Sequence, residues 1–331
     1  MDSEASTTEG VSSARYDASL GAWVLTRYAD VVAALADSRL AVGEGDDDGA
    51  HTLVREAARA ALPRDHAAAW RTTLETSARS LIATLPRDDT VDLARDLADP
   101  WSLSLALAAT SASPHDASHL AGLAREVFVA AAHATSTDVS EPSVAASRAL
   151  AVAFGGAPAG VQTFVALSQT LPRALSSAWL MLIQHPGETA RLRSAPESMP
   201  RAVDELLRLT GPSRAVFRQA RASVEIGDAR ILEGDRVVLM LTAANHDGDR
   251  FSPDTPLDLL RDSAGHVALG RGVHACAGAS VIRTAMSVAT RALLAATTGI
   301  DLAGEVAWLD GFAIRAVTSV PVLLRTEVAR D

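Results

Sequence analysis

HVALGRGVHACAGASVIR, residues 266–283, is the stretch that decides how this chain is read. It carries the single cysteine, Cys276, between Ala275 and Ala277, with Gly270, Gly272 and Gly278 close by. Glycine lets a backbone adopt turns closed to other residues and approach a large flat group. Helical spacing begins after Gly278, so Cys276 stands where a loop enters a helix. Backbone N–H groups and the positive helix end favour a thiolate there. One cysteine excludes an internal disulfide and leaves two readings, a buried small residue or a thiol used in chemistry. A cysteine thiolate is also the axial ligand in one class of heme protein, where it pushes electron density onto iron.

Working outward, the 331 residues are 48% hydrophobic and 21% charged, enough for one substantial core or two closely packed lobes. All 30 basic residues are arginine and 40 residues are acidic, giving a formal charge of -10. That balance argues against a nucleic-acid backbone as the main partner. Asp2, Glu4 and Glu9 stand where a secretory signal would be basic and then apolar, so residues 1–21 are expected to be a flexible tail. No apolar run is long enough to span a bilayer, and a cytoplasmic location with no membrane contact is expected.

Trp23–Thr26 has strand character and Tyr28–Ala36 has helical spacing. An acidic glycine-rich loop, GEGDDDGA at 43–50, precedes helix candidates at 51–62, 64–85, 91–111 and 116–132. Residues 134–160 read as less regular, ending in the break GGAPAG at 155–160. The hydrophobic segment Val161–Ile183 contains Pro172, which removes a backbone donor, so the helix is expected to kink or unwind near Thr170. Two helical pieces follow over 189–209. Residues 222–243 alternate apolar and polar side chains about GD and EGD turns, the pattern of an antiparallel hairpin. Residues 312–325 look extended, and a helix is expected over 279–297. The fold class is mainly α with a small antiparallel β region.

Gly272-Val273-His274-Ala275-Cys276-Ala277-Gly278 resembles the heme-binding loop of bacterial cytochromes P450, with Ala279 and Arg283 in positions that usually follow it. Where the family places a phenylalanine near the sulfur, this chain has Leu269. Glu205 and Arg208, in DELLR, resemble the family's ExxR pair, and the resemblance implies a structural triad with Arg261 of LDLLR. His51 and Arg55 fall on the family's HxxxR positions, Arg218 matches the arginine before the first long strand, and His274 is the loop histidine. The resemblance implies that these four bind the heme propionates, since guanidinium donors suit paired carboxylate oxygens. It extends over about residues 22–323, with a gap from roughly 134 to 160. It implies one heme-thiolate domain over 22–331 with the cytochrome P450 fold, binding heme b, with iron held by Cys276 and Gly278 beside it.

The family's oxygen-activating segment falls here on Ala166-Leu167-Ser168-Gln169-Thr170. Thr170 is retained. Leu167 replaces a glycine that makes room for oxygen, and Gln169 replaces the acid that relays protons; an amide hydrogen-bonds but does not shuttle a proton as a carboxylate does. The chain is also short, and a reduced lid over the pocket is expected. The resemblance implies a monooxygenase of secondary metabolism, acting on a small natural-product-like substrate with O2 and electrons from a ferredoxin and ferredoxin reductase. The short lid suggests a carrier protein or partner subunit that completes the pocket. The altered distal residues keep two alternatives open: a redox-neutral or peroxide-using enzyme (cyclase, dehydratase, rearrangement), and a catalytically idle helper of a partner enzyme.

Overall fold

A computed structural model describes residues 14–42, 56, 67–86, 89–135, 141–251 and 257–326. Strands β1 (Ala14–Asp17) and β2 (Ala22–Leu25) form an antiparallel hairpin, so residues 14–21, expected as part of a tail, belong to a sheet. Its turn is held by Asp17, whose carboxylate accepts hydrogen bonds from the backbone and hydroxyl of Ser19, and Tyr16 packs edge-on against Trp23 at 5.7 Å. Helix α1 (Tyr28–Ala36) has its first N–H satisfied from far along the chain, by Asp247 at 2.6 Å. Strand β3 (Leu40–Ala41) follows.

The helical body begins with α2 (Ala67–Thr84), strand β4 (Val91–Asp92) and a π-helical turn, Leu93–Ala98, that runs into α3 (Asp99–Thr110). Helix α4 (Ala117–His133) packs against α5 (Glu141–Ala153). The latter lies in the segment expected to be irregular. Of its buried residues, Ser143, Ala146 and Leu150, which repeat at helical spacing, only Leu150 is large, so the periodic signal in the sequence is weak. The GGAPAG break does end it: Gly155 and Gly156 have φ of 63° and 81°, and the Gly156 N–H donates to Ala151 O at 2.7 Å.

Next comes a long helix in three pieces: α6 (Pro158–Val165), a π turn (Ala166–Thr170) and α7 (Leu171–Gln184). The unwinding expected near Thr170 is this π turn. Pro172 has no N–H, so a carbonyl one turn back loses its helical donor and the ladder shifts to wider spacing. Helices α8 (Pro186–Ser194) and α9 (Met199–Thr210) follow, the second opened by Pro200 in its first turn and closed at Gly211. Together with α11 (Ala279–Ala296), the long helix and α2, α3 and α9 enclose the main apolar core. Trp179 on α7 is fully buried there, its indole N–H satisfied by Thr290 on α11 at 3.0 Å.

Among the described residues, the largest sheet has the order β1-β2-β8-β5-β3, with β5 (Ala215–Ala220) and β8 (Arg236–Met240). Its pairings are antiparallel except β2 with β8, which is parallel. The expected hairpin over 222–243 is shorter than its alternating pattern suggested. Only β6 (Val224–Ile226) and β7 (Ala229–Ile231) pair with each other, around Gly227 at φ 60°. Strand β8 instead enters the large sheet, where Val237, Val238 and Leu239 are buried on both faces, and the chain then turns into helix α10 (Leu241–Asn245). Near the C-terminus, β9 (Gly299–Leu302) joins β4 and β12 (Pro321–Arg325), while β10 (Ala307–Asp310) pairs with β11 (Arg315–Ser319). No single described helix is long and apolar enough to cross a membrane; α5 and the long helix pass that test only jointly, across a 112° bend.

Candidate functional site

The loop before α11 is shaped by its glycines. Gly270 (φ 67°) sends its N–H to Val267 O at 2.9 Å, and Gly272 (φ 72°) turns the chain back. The return brings the Cys276 N–H onto Leu269 O at 2.8 Å. Gly278 then caps α11, its carbonyl accepting the Ile282 N–H at 2.9 Å. Cys276 is half-buried, three residues ahead of the first residue of that helix, where the positive end favours sulfur as thiolate. Gly272 is fixed by contact as well as by conformation: an added Cβ would lie 2.6 Å from the Leu35 carbonyl of α1. Gly272→Ala is therefore expected to cost at least ~1–2 kcal/mol from the left-handed backbone alone. A lowered Tm with weakened cofactor uptake in the same titration would check this.

Both ends of the loop are fastened to α9. Ahead of it, Asn245 Oδ1 accepts the Val267 N–H at 2.7 Å, and His266 lies 3.4 Å from Asp204. Behind it, Arg283 Nε on α11 donates to Asp204 at 2.6 Å. Burial would raise the Asp204 carboxyl, but hydrogen bonds from His266 and Arg283 outweigh it and hold the group below its ordinary value. One residue on, Glu205 and Arg208 form a bidentate pair with contacts of 2.7 and 2.8 Å. Arg261 approaches Glu205 at 3.3 Å, Ser263 donates to it, and Arg208 donates to Asn245 O while lying over the Phe251 ring. The structural triad expected from the sequence is thus present. Its connection to the cysteine loop through Asn245, and the Asp204 clamp beside it, were not expected. The sequence signals available were the AANHD segment and the acid directly before Glu205.

The remaining candidates are spread over other elements. Arg218 is buried, and it lies within β5 rather than ahead of it, because the strand already begins at Ala215. Its guanidinium donates to the Phe217 carbonyl at 2.8 Å. His274 is half-buried in the loop. Leu269 packs on the main core that also contains Leu167. Leu167 and Gln169 are 2% and 6% exposed on the π turn, and Thr170 is half-buried beside them. His51 and Arg55 lie outside the described residues.

The donor set suits an iron porphyrin. Among the described residues, no group of three or more His, Cys, Asp or Glu side chains could enclose a metal ion. A metal bound here would take one protein sulfur and its remaining ligands from elsewhere, which is how a porphyrin presents iron to an axial thiolate.

The cytochrome P450 family profile matches residues 179–296, which run from α7 to the end of α11 and contain Glu205, Arg208 and Cys276. A segment of 137 residues is 37% identical to the mycinamicin VIII C21 methyl hydroxylase of Micromonospora griseorubida, covering 41% of this chain and 35% of that protein. Another, of 148 residues, is 35% identical to the 6-deoxyerythronolide B hydroxylase of Saccharopolyspora erythraea, covering 44% and 36%. These matches span about a third of the relatives' length. The fold is similar over a wider range: the structure of P450BioI in complex with a fatty-acid-ligated acyl carrier protein superposes with a TM-score of 0.82, covering 92% of each chain at 22% identity. The segment 179–296 thus carries the cytochrome P450 family's profile, and the chain has the cytochrome P450 fold, whose family binds heme b.

Proposed function

We propose that the chain is a heme-thiolate monooxygenase that tailors a small natural-product-like molecule, using O2 and electrons delivered by a ferredoxin and its reductase. The observation that carries this reading is the single cysteine, presented by a glycine turn whose flanks are held by Asp204 on α9 and by Asn245 on α10, itself bonded to Arg208 of α9. The hydroxylases that match the C-terminal half support the same chemistry.

Bound heme would supply the site for dioxygen binding and reduction. Cys276 would hold the iron and donate electron density to it, and its N–H bond to Leu269 O keeps the sulfur at the turn's apex. Arg218 and His274 would bind the propionates, joined by His51 and Arg55. Thr170 would orient water on the opposite side with its hydroxyl. Gln169 would offer the same water a hydrogen bond without exchanging a proton. An acyl carrier protein bound to P450BioI supports the idea that this pocket too receives a substrate presented by a carrier.

The test is turnover of heme-loaded protein with labelled dioxygen and a ferredoxin reducing system, across macrolide-like and carrier-tethered substrates. Label in the product supports the reading; conversion that needs neither reductant nor peroxide overturns it. That second outcome would favour redox-neutral chemistry, for which the specific observation is the buried Gln169 at the acid's position. Restoring the acid gives a local prediction. Gln169→Glu should raise product formed per electron pair about tenfold, a modest part of the ~10²–10⁴ that a positioned acid contributes. Product and peroxide counted against reductant consumed would check it.

A further inference from the structure

Helix α3 lies along α6 and the π turn, and its first residue, Asp99, is ion-paired with Arg173 at the start of α7. The two helices therefore run antiparallel, which sets the α3 residues after Asp99 against the segment before Arg173. Three polar atoms at this crossing are buried without a partner, Ser102 Oγ, Ser168 Oγ and Arg173 Nη1, and Asp99 Oδ1 is buried with only its ion pair to Arg173 Nη2 at 3.1 Å. Ser102 is 0% exposed and stands one turn from Asp99 on the face toward the core; Ser168 is 4% exposed and belongs to the π turn, two residues before Thr170. Unsatisfied buried polar atoms are rare and each is costly, so three at one helix crossing mark a place built for something polar.

Asp99 has the position of an inlet. Its side chain is 34% exposed, and Arg173 Nη2 lies 3.1 Å from Oδ1 and donates to Oδ2 at 3.3 Å. Burial raises its carboxyl above the ordinary value, a rise that Arg173 opposes and Asp92 reinforces. A carboxylate so placed takes up protons more readily than one at the open surface.

Resting on the proposed oxygenation, we propose that Asp99, Ser102, Ser168 and Arg173 hold a buried file of water that carries protons from the surface to Gln169 and Thr170. The family's acid is missing from that segment, and this file is the route that serves in its place. Each proton entering Asp99 from solvent is matched by one leaving it to the file. Each hydroxyl donates one hydrogen as it accepts another, so the relay itself is unchanged. The protons are consumed in the proposed reaction, two per dioxygen together with two electrons from the ferredoxin, with one oxygen atom leaving as water. Arg173 is a positioning residue, holding Asp99 across the crossing.

Two experiments on the heme-loaded protein test this. In the first, Ser102→Ala, Ser168→Ala and the double variant are compared by thermal unfolding. Hydroxyls bonded to water lose those bonds on truncation, so each single variant should lower Tm, and the double variant should lose less than the sum. Tm values that stay level or rise would show a dry crossing and overturn the proposal. In the second, Asp99→Asn keeps the hydrogen bond from Arg173 but cannot exchange a proton. Product per electron pair should fall about tenfold while substrate affinity stays constant, and adding Gln169→Glu should restore it by supplying an acid at the segment itself. Unchanged coupling in Asp99→Asn, or no rescue, would overturn the proposal while oxygenation by the unmodified protein leaves the functional reading standing. Failure of the unmodified protein to bind heme through sulfur would instead remove that reading and this proposal with it.

Discussion

Cys276→Ser is expected to leave the protein folded while abolishing thiolate ligation. The side chain is half-buried, and oxygen for sulfur is a small change in volume, so circular dichroism and Tm should move little. The cofactor should respond strongly. A hydroxyl is a far weaker donor than a thiolate, and the electron push on iron depends on the sulfur. The reduced, carbon monoxide-bound protein should lose the long-wavelength band characteristic of a sulfur ligand, and oxygenation should fall by more than about 100-fold. That exceeds the ~10–100-fold that follows loss of an outer partner of a metal ligand. A variant that kept the sulfur-type spectrum would show that iron is bound by another side chain and would defeat the assignment.

Breaking the Glu205–Arg208 pair should have the largest effect on stability. Glu205 is fully buried and its side chain contacts Arg208, Arg261 and Ser263. Arg208→Ala strands that carboxylate, a change that costs about 3–5 kcal/mol for a buried pair. At about 2 °C per kcal/mol for a chain of this size, Tm should fall by roughly 6–10 °C. Because Arg208 also donates to the carbonyl of Asn245, whose side chain holds Val267, the loss should reach the cysteine loop. Reduced heme occupancy should therefore accompany the lower Tm, and a normal heme content at that Tm would show the two to be independent.

The same cluster sets an acid limit. Burial alone would raise the Glu205 carboxyl, but the hydrogen bonds from Arg208 and Ser263 and the charges of Arg208 and Arg261 hold it below its ordinary 4.5. A carboxyl depressed in the folded state contributes its full stability above the unfolded value. That contribution is lost as pH falls from about 4.5 through the folded value. Denaturant titrations should thus show stability falling below that pH, and Glu205→Gln should remove this part of the slope.

Much of the site was legible because its signals are local. The glycine turn around Cys276 and the pair at 205 and 208 depend on neighbours within a few residues, as does the disturbance by Pro172. Helix α5 was harder to see because its buried face offers one large apolar residue, Leu150, beside Ser143 and Ala146. Strand β8 was misread because burial on both faces gives an apolar run that looks like one arm of a hairpin.

The sequence by itself determined that a lone cysteine would stand at a glycine-formed turn ahead of a helix, and that an acid and an arginine would share a helix face. It also determined that proline would open the long helix near Thr170. Backbone conformation and neighbour spacing decide all three. Only the tertiary structure decided that Asp204 and Asn245 hold the two sides of the loop, and that Asp99 meets Arg173, 74 residues away. The reason is that polar partners are chosen when distant segments pack. A charged or amide side chain carries no mark in the sequence of which buried group it will satisfy, whereas an apolar period or a glycine shapes its own surroundings directly.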